Sequence, residues 1–294
     1  MARKAPKSKT RKLVQKGGAQ QPMPGPCQCH PSISKKPAHG CLPLTLLQSI
    51  GSTLGIPASY KGKQLRKELE SKLAITGGER SFLEKLPIAE EEKADLARKY
   101  LRPAAPKGWK DDPDMWLDSN NISNVLDQYE QTYPSFEFMG PFPIDFAAPD
   151  PYQKGGEGPK CLMTEICELR VTKALQNGTK SVGIVYNLDP HYKSGSHWVA
   201  NYIDIPGHKC YYFDSYGMAP PMQVARFMKW LTTQDPQMKL FYSSRRLQYS
   251  NTECGVYCVY FIIRMLAGDS FLDLSRRKPK DADMIAMRDC LWST

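Results

Sequence analysis

The 294-residue sequence predicts an α+β fold rather than alternating βαβ units. Three observations predict it. Helical patterning is concentrated near the N-terminus. Segments that alternate apolar and polar residues then follow one another with only short turns between them. A long, almost unbroken apolar segment, "CGVYCVYFIIRML", comes after the last of them and is too long for a buried strand.

Taken in order, residues 1–41 are rich in Lys, Pro, Gly and Gln, with no periodic apolar positions, and read as a basic, disordered tail. The net charge of +10 comes from the N-terminal region, where the first acid is Glu68. Such a stretch is either a solvated arm or a contact for nucleic acid, because clustered Lys and Arg release counterions on binding phosphates. The opening "MARKAPKSKTRKLVQKGG" has no apolar core and is not read as a secretory signal. Nine cysteines without such a signal are expected to be reduced thiols. Cys27, Cys29, His30, His39 and Cys41 are metal-ligand types, but their spacing is unlike a C-x₂₋₄-C knuckle, and they read as loop residues before they read as a zinc site.

Residues 42–101 form the helical arm. "LTLLQSIGSTLGI", "GKQLRKELESKLAI" and "EEEKADLARKYL" are amphipathic, and "GIPASYKG" breaks the first two. Helix, extended link and basic helix could bind DNA or simply pack beside the main domain. Residues 102–111, rich in Pro and Gly, are a linker. The main domain, 112–294, begins with the helix "NISNVLDQYEQTY". The strands "KSVGIVYNLD", "HWVANYIDI" and "KCYYFDSY" follow, then the amphipathic helix "PMQVARFMKWLTT" and the strand "KLFYSS". No apolar run is long enough to cross a membrane, so no membrane partner is expected.

The chemistry begins at "YSNTECGVYC", where a polar loop runs into a helix. Cys254 would open that helix, where unpaired N–H groups and the helix dipole favour a thiolate. Gly255 would leave room for a substrate to approach it. Cys258, one turn on, reads as a small core residue. A thiol nucleophile needs a base. Of the five histidines, His197 is best placed, at the start of a strand, whereas His191 and His208 lie in loops. Asp214 ends the next strand, so a hairpin brings it to His197 as the group that orients the ring. The Cys254 N–H and the neutral amide of Gln248 are candidate donors to an oxyanion.

The order His197, Asp214, Gln248, Cys254, with the nucleophile last, resembles the adenain and SUMO-protease superfamily of cysteine proteases. "WLDSNNI" (116–122) is similar to the element that begins the ubiquitin-like-protein protease fold. "NLDPHYKSGSHWVANYIDIPG", "FDSYGMAPP" and "QYSNTECGVYCVYFI" look most like the polyprotein-processing proteases of large cytoplasmic DNA viruses, of the African swine fever virus type. The resemblance spans about 112–292, and more weakly the arm. It implies a central mixed sheet flanked by helices. It also implies cleavage after Gly-Gly-type motifs in structural polyproteins during virion maturation, no cofactor, and a location in the host cytoplasm and the virion. Trp116 and Trp198 would then form a slot that admits a chain without Cβ atoms. Removal of ubiquitin- or SUMO-like modifiers, and acetyl transfer by the same His–acid–Cys arrangement, remain alternatives. The chain has Gly-Gly pairs of its own at Gly17–Gly18, Gly77–Gly78 and Gly155–Gly156, and cleavage after Gly18 would remove the most basic segment.

Overall fold

The computed structural model describes residues 25–112, 114–151, 160–277 and 279–294. The basic segment before residue 25, with Gly17–Gly18, lies outside these residues, as does Gly155–Gly156. Four helices come first: α1 (Leu44–Thr53), α2 (Gly62–Lys72), α3 (Glu79–Lys85) and α4 (Glu90–Tyr100). They enclose their own core of Leu47, Ile50, Leu65, Leu69, Phe82 and Leu83. A 3-10 turn, Lys107–Lys110, leads to α5 (Ser119–Thr132), which Asp118 and Asn121 start with a reciprocal capping box.

The sheet has five strands in sequential order: β1 (Phe136–Pro143), β2 (Ser181–Asn187), β3 (Trp198–Asp204), β4 (Lys209–Phe213) and β5 (Lys239–Tyr242). The outer pairs, β1–β2 and β4–β5, are parallel and the inner pairs antiparallel, so the sheet is mixed. β1 was not legible as a strand. Pro141 and Pro143 interrupt its pattern, and proline is tolerated at a sheet edge such as this one.

β2 and β3 are buried on both faces, and their side chains alternate between two cores. Val182, Ile184 and Tyr186 point to the side covered by α6 (Thr164–Glu168), α7 (Val171–Gln176) and α8 (Met222–Gln234), where Val224, Phe227, Met228 and Leu231 meet them. Val185, Ala200 and Tyr202 point to α9 (Cys254–Leu266), packed with α5, α10 (Phe271–Arg277) and α11 (Asp281–Leu291). Gly183 is a close-approach position. A Cβ there would lie 2.9 Å from Ile262 Cγ2 of α9 and 3.0 Å from the Phe136 ring.

Two expectations about the N-terminal region need correction. Ordered structure begins before residue 42: Cys29 is fully buried in the arm core, and the Gln28 backbone donates to Cys290 and accepts from Arg102. The thiols there are also not all reduced. Disulfides join Cys27 to Cys290, Cys29 to Cys41 and Cys161 to Cys167. Among the described residues no group of three or more His, Cys, Asp or Glu could hold a metal ion, and the sulfurs of the Cys27–Cys41 segment are spent on these bonds. Gly77–Gly78 has a structural use. Gly77 has φ +113°, and a Cβ on Gly78 would meet the Thr294 carbonyl. Among the described residues, no helix is long and apolar enough to cross a membrane.

Candidate active site

The β3–β4 hairpin places the base and its partner. Ala200 faces Phe213 across the ladder, so the residues just outside the two strand ends, His197 and Asp214, emerge together. His197 Nε2 lies 2.8 Å from Asp214 Oδ1, and the Asp214 carboxylate is buried. The same Oδ1 accepts the Tyr216 N–H at 2.8 Å, which holds it in place. Tyr216 stacks on the imidazole, with centroids 4.6 Å apart and planes 14° apart. The loop before His197 is gathered by Asn187, whose Oδ1 accepts the N–H groups of Asp189 and Ser196.

Cys254 opens α9 and is only 2% exposed. The loop leading to it is fixed from several sides. The N–H groups of Leu247 and Gln248 donate to the Ser215 carbonyl, those of Tyr249 and Ser250 to Asp281 Oδ2, and the Tyr257 hydroxyl to the Leu247 carbonyl. With Nε2 taken by Asp214, His197 Nδ1 is left for the Cys254 thiol, one of the two groups that raise the pKa of the ring. Burial alone would lower the His197 pKa, but the hydrogen bonds to Asp214 and Cys254 outweigh it and raise it to about 9. A cationic imidazole beside the sulfur is therefore the resting form at neutral pH. The other two free thiols are unlike Cys254: Cys210 and Cys258 lie wholly in the core, and burial pushes both pKa values up.

Gln248 is completely buried. Its Oε1 accepts from Ser215 Oγ at 2.6 Å, while its Nε2 has no partner among the described residues. An unpaired buried amide donor is costly unless something arrives to accept from it. No side chain caps α9, so the N–H groups of its first turn are also available. These are the donors an oxyanion requires.

Trp116 and Trp198 both line a cleft of about 460 Å³, together with Leu117, Asn187, His191 and Gly195. The two indoles are not equivalent. Trp116 is 42% exposed, whereas Trp198 is 6% exposed and donates its N–H to the Leu117 carbonyl at 2.9 Å. Trp198, directly after His197 in the chain, and Leu117, which packs against Gly255, link the cleft to the two candidate elements. Gly255 does a different job from the one expected. It is buried, and a Cβ there would come within 3.1 Å of Leu117, so the space it leaves is filled by Leu117 and not by a substrate.

The structure thus brings His197, Asp214, Gln248 and Cys254 to one place and sets Trp116 and Trp198 along the adjoining cleft. Asn187, Ser215 and Tyr216 were missed by sequence reasoning. The hairpin register could have found Tyr216, since it lies directly opposite His197 when the ladder is extended.

Residues 185–291, which contain all four polar groups, match the model of the Ulp1 protease family, C-terminal catalytic domain. The chain is 33% identical over 166 residues to a protein of Acanthamoeba polyphaga mimivirus named as a candidate thiol protease; the match covers 53% of this chain and 49% of that protein. It is 32% identical over 130 residues to the SUMO-1 cysteine protease of African swine fever virus, covering 41% of this chain and 46% of that protein. The chain therefore spans about half the length of these curated relatives. The crystal structure of the African swine fever virus protease superposes with a TM-score of 0.66 at 21% identity, over 91% of this chain and 96% of that one, and so shares the fold. The fold is that of the African swine fever virus protease. Over residues 185–291 the chain is similar to the catalytic domain of the Ulp1 protease family, and to viral thiol proteases over about half of their length.

Proposed function

We propose that the protein is a thiol endopeptidase that cuts after Gly-Gly-type motifs in viral structural polyproteins, in the host cytoplasm and the assembling virion. The observation that carries this reading is Cys254 at the start of a buried helix, with the His197–Asp214 pair and the unpaired Gln248 amide around it.

In the proposed reaction the Cys254 thiolate attacks the carbonyl carbon of the second glycine. The carbonyl π electrons move to oxygen, and Gln248 Nε2 with the N–H groups of the α9 terminus holds the oxyanion. When the oxyanion collapses, the C–N bond breaks and His197 gives its Nδ1 proton to the departing amine. A thioester remains. Water, losing a proton to His197, adds to it, and collapse releases the carboxylic acid and restores the thiol. Asp214 keeps the ring oriented throughout. No step calls on a cofactor.

The test is a panel of peptides carrying Gly-Gly-Xaa and Gly-Xaa-Gly, with wild type and Cys254→Ala assayed together. Cutting after the second glycine by wild type alone supports the reading; equal cutting by both proteins, or by neither, overturns it. Because the African swine fever virus relative carries SUMO-1 in its name, Gly-Gly-ended modifier fusions form a second arm. Turnover of fusions without turnover of short peptides would move the substrate to the modifier class. Nucleic acid is proposed as a partner of the basic N-terminal region, on its charge alone.

A further inference from the structure

The residue before the nucleophile is an acid. Glu253 is the N-cap of α9 and is fully buried. A carboxylate at that position ordinarily accepts hydrogen bonds from the first-turn N–H groups. Here that would occupy donors the oxyanion needs and place a negative charge beside the thiolate. Glu253 makes no such bond. Its carboxylate is instead taken by Arg288 of α11, 35 positions away in the chain, with Nε 3.0 Å from Oε2 and Nη2 2.8 Å from Oε1. This is the forked geometry that binds a carboxylate through both oxygens. Arg288 is itself 4% exposed. Its Nη1 donates to the Met115 carbonyl at 2.8 Å, one residue before Trp116, and its guanidinium lies 4.6 Å from the centre of the Trp109 ring.

We propose that Arg288 is a positioning residue for the site. It turns the Glu253 carboxylate away from the first turn of α9, leaving those N–H groups to the reaction, and anchors the backbone that presents Trp116. Its purpose rests on the acyl-transfer reading above, but its test does not.

The experiment measures the rate at which iodoacetamide alkylates Cys254 at neutral pH, with Cys254→Ala as the blank. The thiolate displaces iodide and forms a C–S bond, so no substrate is needed. Wild type, Arg288→Met and the double variant Glu253→Gln, Arg288→Met are compared. The single variant leaves the buried Glu253 carboxylate, one residue before Cys254, with the Thr252 hydroxyl but without its cation, and alkylation slows by about ten-fold or more. The double variant leaves no charge to strand and returns to within roughly three-fold of wild type. A double variant as slow as the single one, or a single variant as fast as wild type, overturns the proposal. If Arg288→Met alone does not fold, the double variant decides: a rate near wild type supports the proposal, and a ten-fold loss contradicts it. If this pattern holds while wild type cuts neither peptides nor modifier fusions, the peptidase reading fails and the positioning role stands.

Discussion

At the scale of single residues, the site depends on a histidine that is cationic at neutral pH. His197 has a pKa of about 9, set by Asp214 and Cys254 against the opposing effect of burial. In an unfolded chain the value is about 6.5. The folded value is the higher one, so the group's contribution to stability is complete below about pH 6.5 and is lost as pH rises toward 9. Activity that needs a cationic imidazole falls over the same range, with an alkaline limb near pH 9 in kcat/KM. Asp214→Ala removes one of the two interactions that raise the pKa, and the limb moves to lower pH; a pH–rate profile of the two proteins checks this. Gln248→Ala removes a preorganised donor, and kcat falls by about 10²–10³ with little change in KM. The candidate residues could be named because each had a positional argument, and the structure places them accordingly: a helix start for Cys254, strand ends for His197 and Asp214, and the loop before α9 for Gln248. Gly255 was misread. Its neighbour across the fold is Leu117, and nothing local in the sequence discloses that contact.

At the scale of elements, the site is built on the meeting of α9 with β2 and β3. The two strands and the helix were read from the sequence because their patterns are strong: two-residue alternation in β2 and β3, and a continuous apolar run in α9. β1 was missed because prolines spoil its pattern, and only its edge position makes it acceptable as a strand. The approach of α9 to the sheet is paced by Gly183. Gly183→Val is expected to force α9 off β2 and to destabilise the fold by roughly 1–3 kcal/mol, the usual cost of overfilling a packed core. Chemical denaturation read by tryptophan fluorescence measures the loss. Because α9 carries Cys254, peptide cleavage should fall as well.

At the scale of the whole molecule, the arm and the catalytic domain are tied together by the chain termini. The Cys27–Cys290 disulfide joins the first described segment of the arm to α11, and the N–H groups of Arg80 and Ser81 donate to the Thr294 carbonyl. None of this was legible. Partners 263 residues apart leave no spacing signal, and cysteine connectivity cannot be deduced from sequence. Cys29→Ser with Cys41→Ser opens the shorter arm loop and is expected to cost roughly 3 kcal/mol by the chain-entropy account. Differential scanning calorimetry should show a lower Tm for this variant under oxidising conditions. Adding a thiol reductant should lower the Tm of the wild type too.

The central claim is that Cys254 is the nucleophile of a glycine-selective acyl transfer. A short peptide ending in Gly-Gly vinyl methyl ester tests it most directly, because the reactive carbon stands where the scissile carbonyl would be. Intact mass and peptide mapping would read the product. The account predicts one adduct per chain, on Cys254, absent from Cys254→Ala and formed far more slowly by His197→Ala. No adduct on the folded wild type, or labelling of Cys210 or Cys258 in its place, would contradict it.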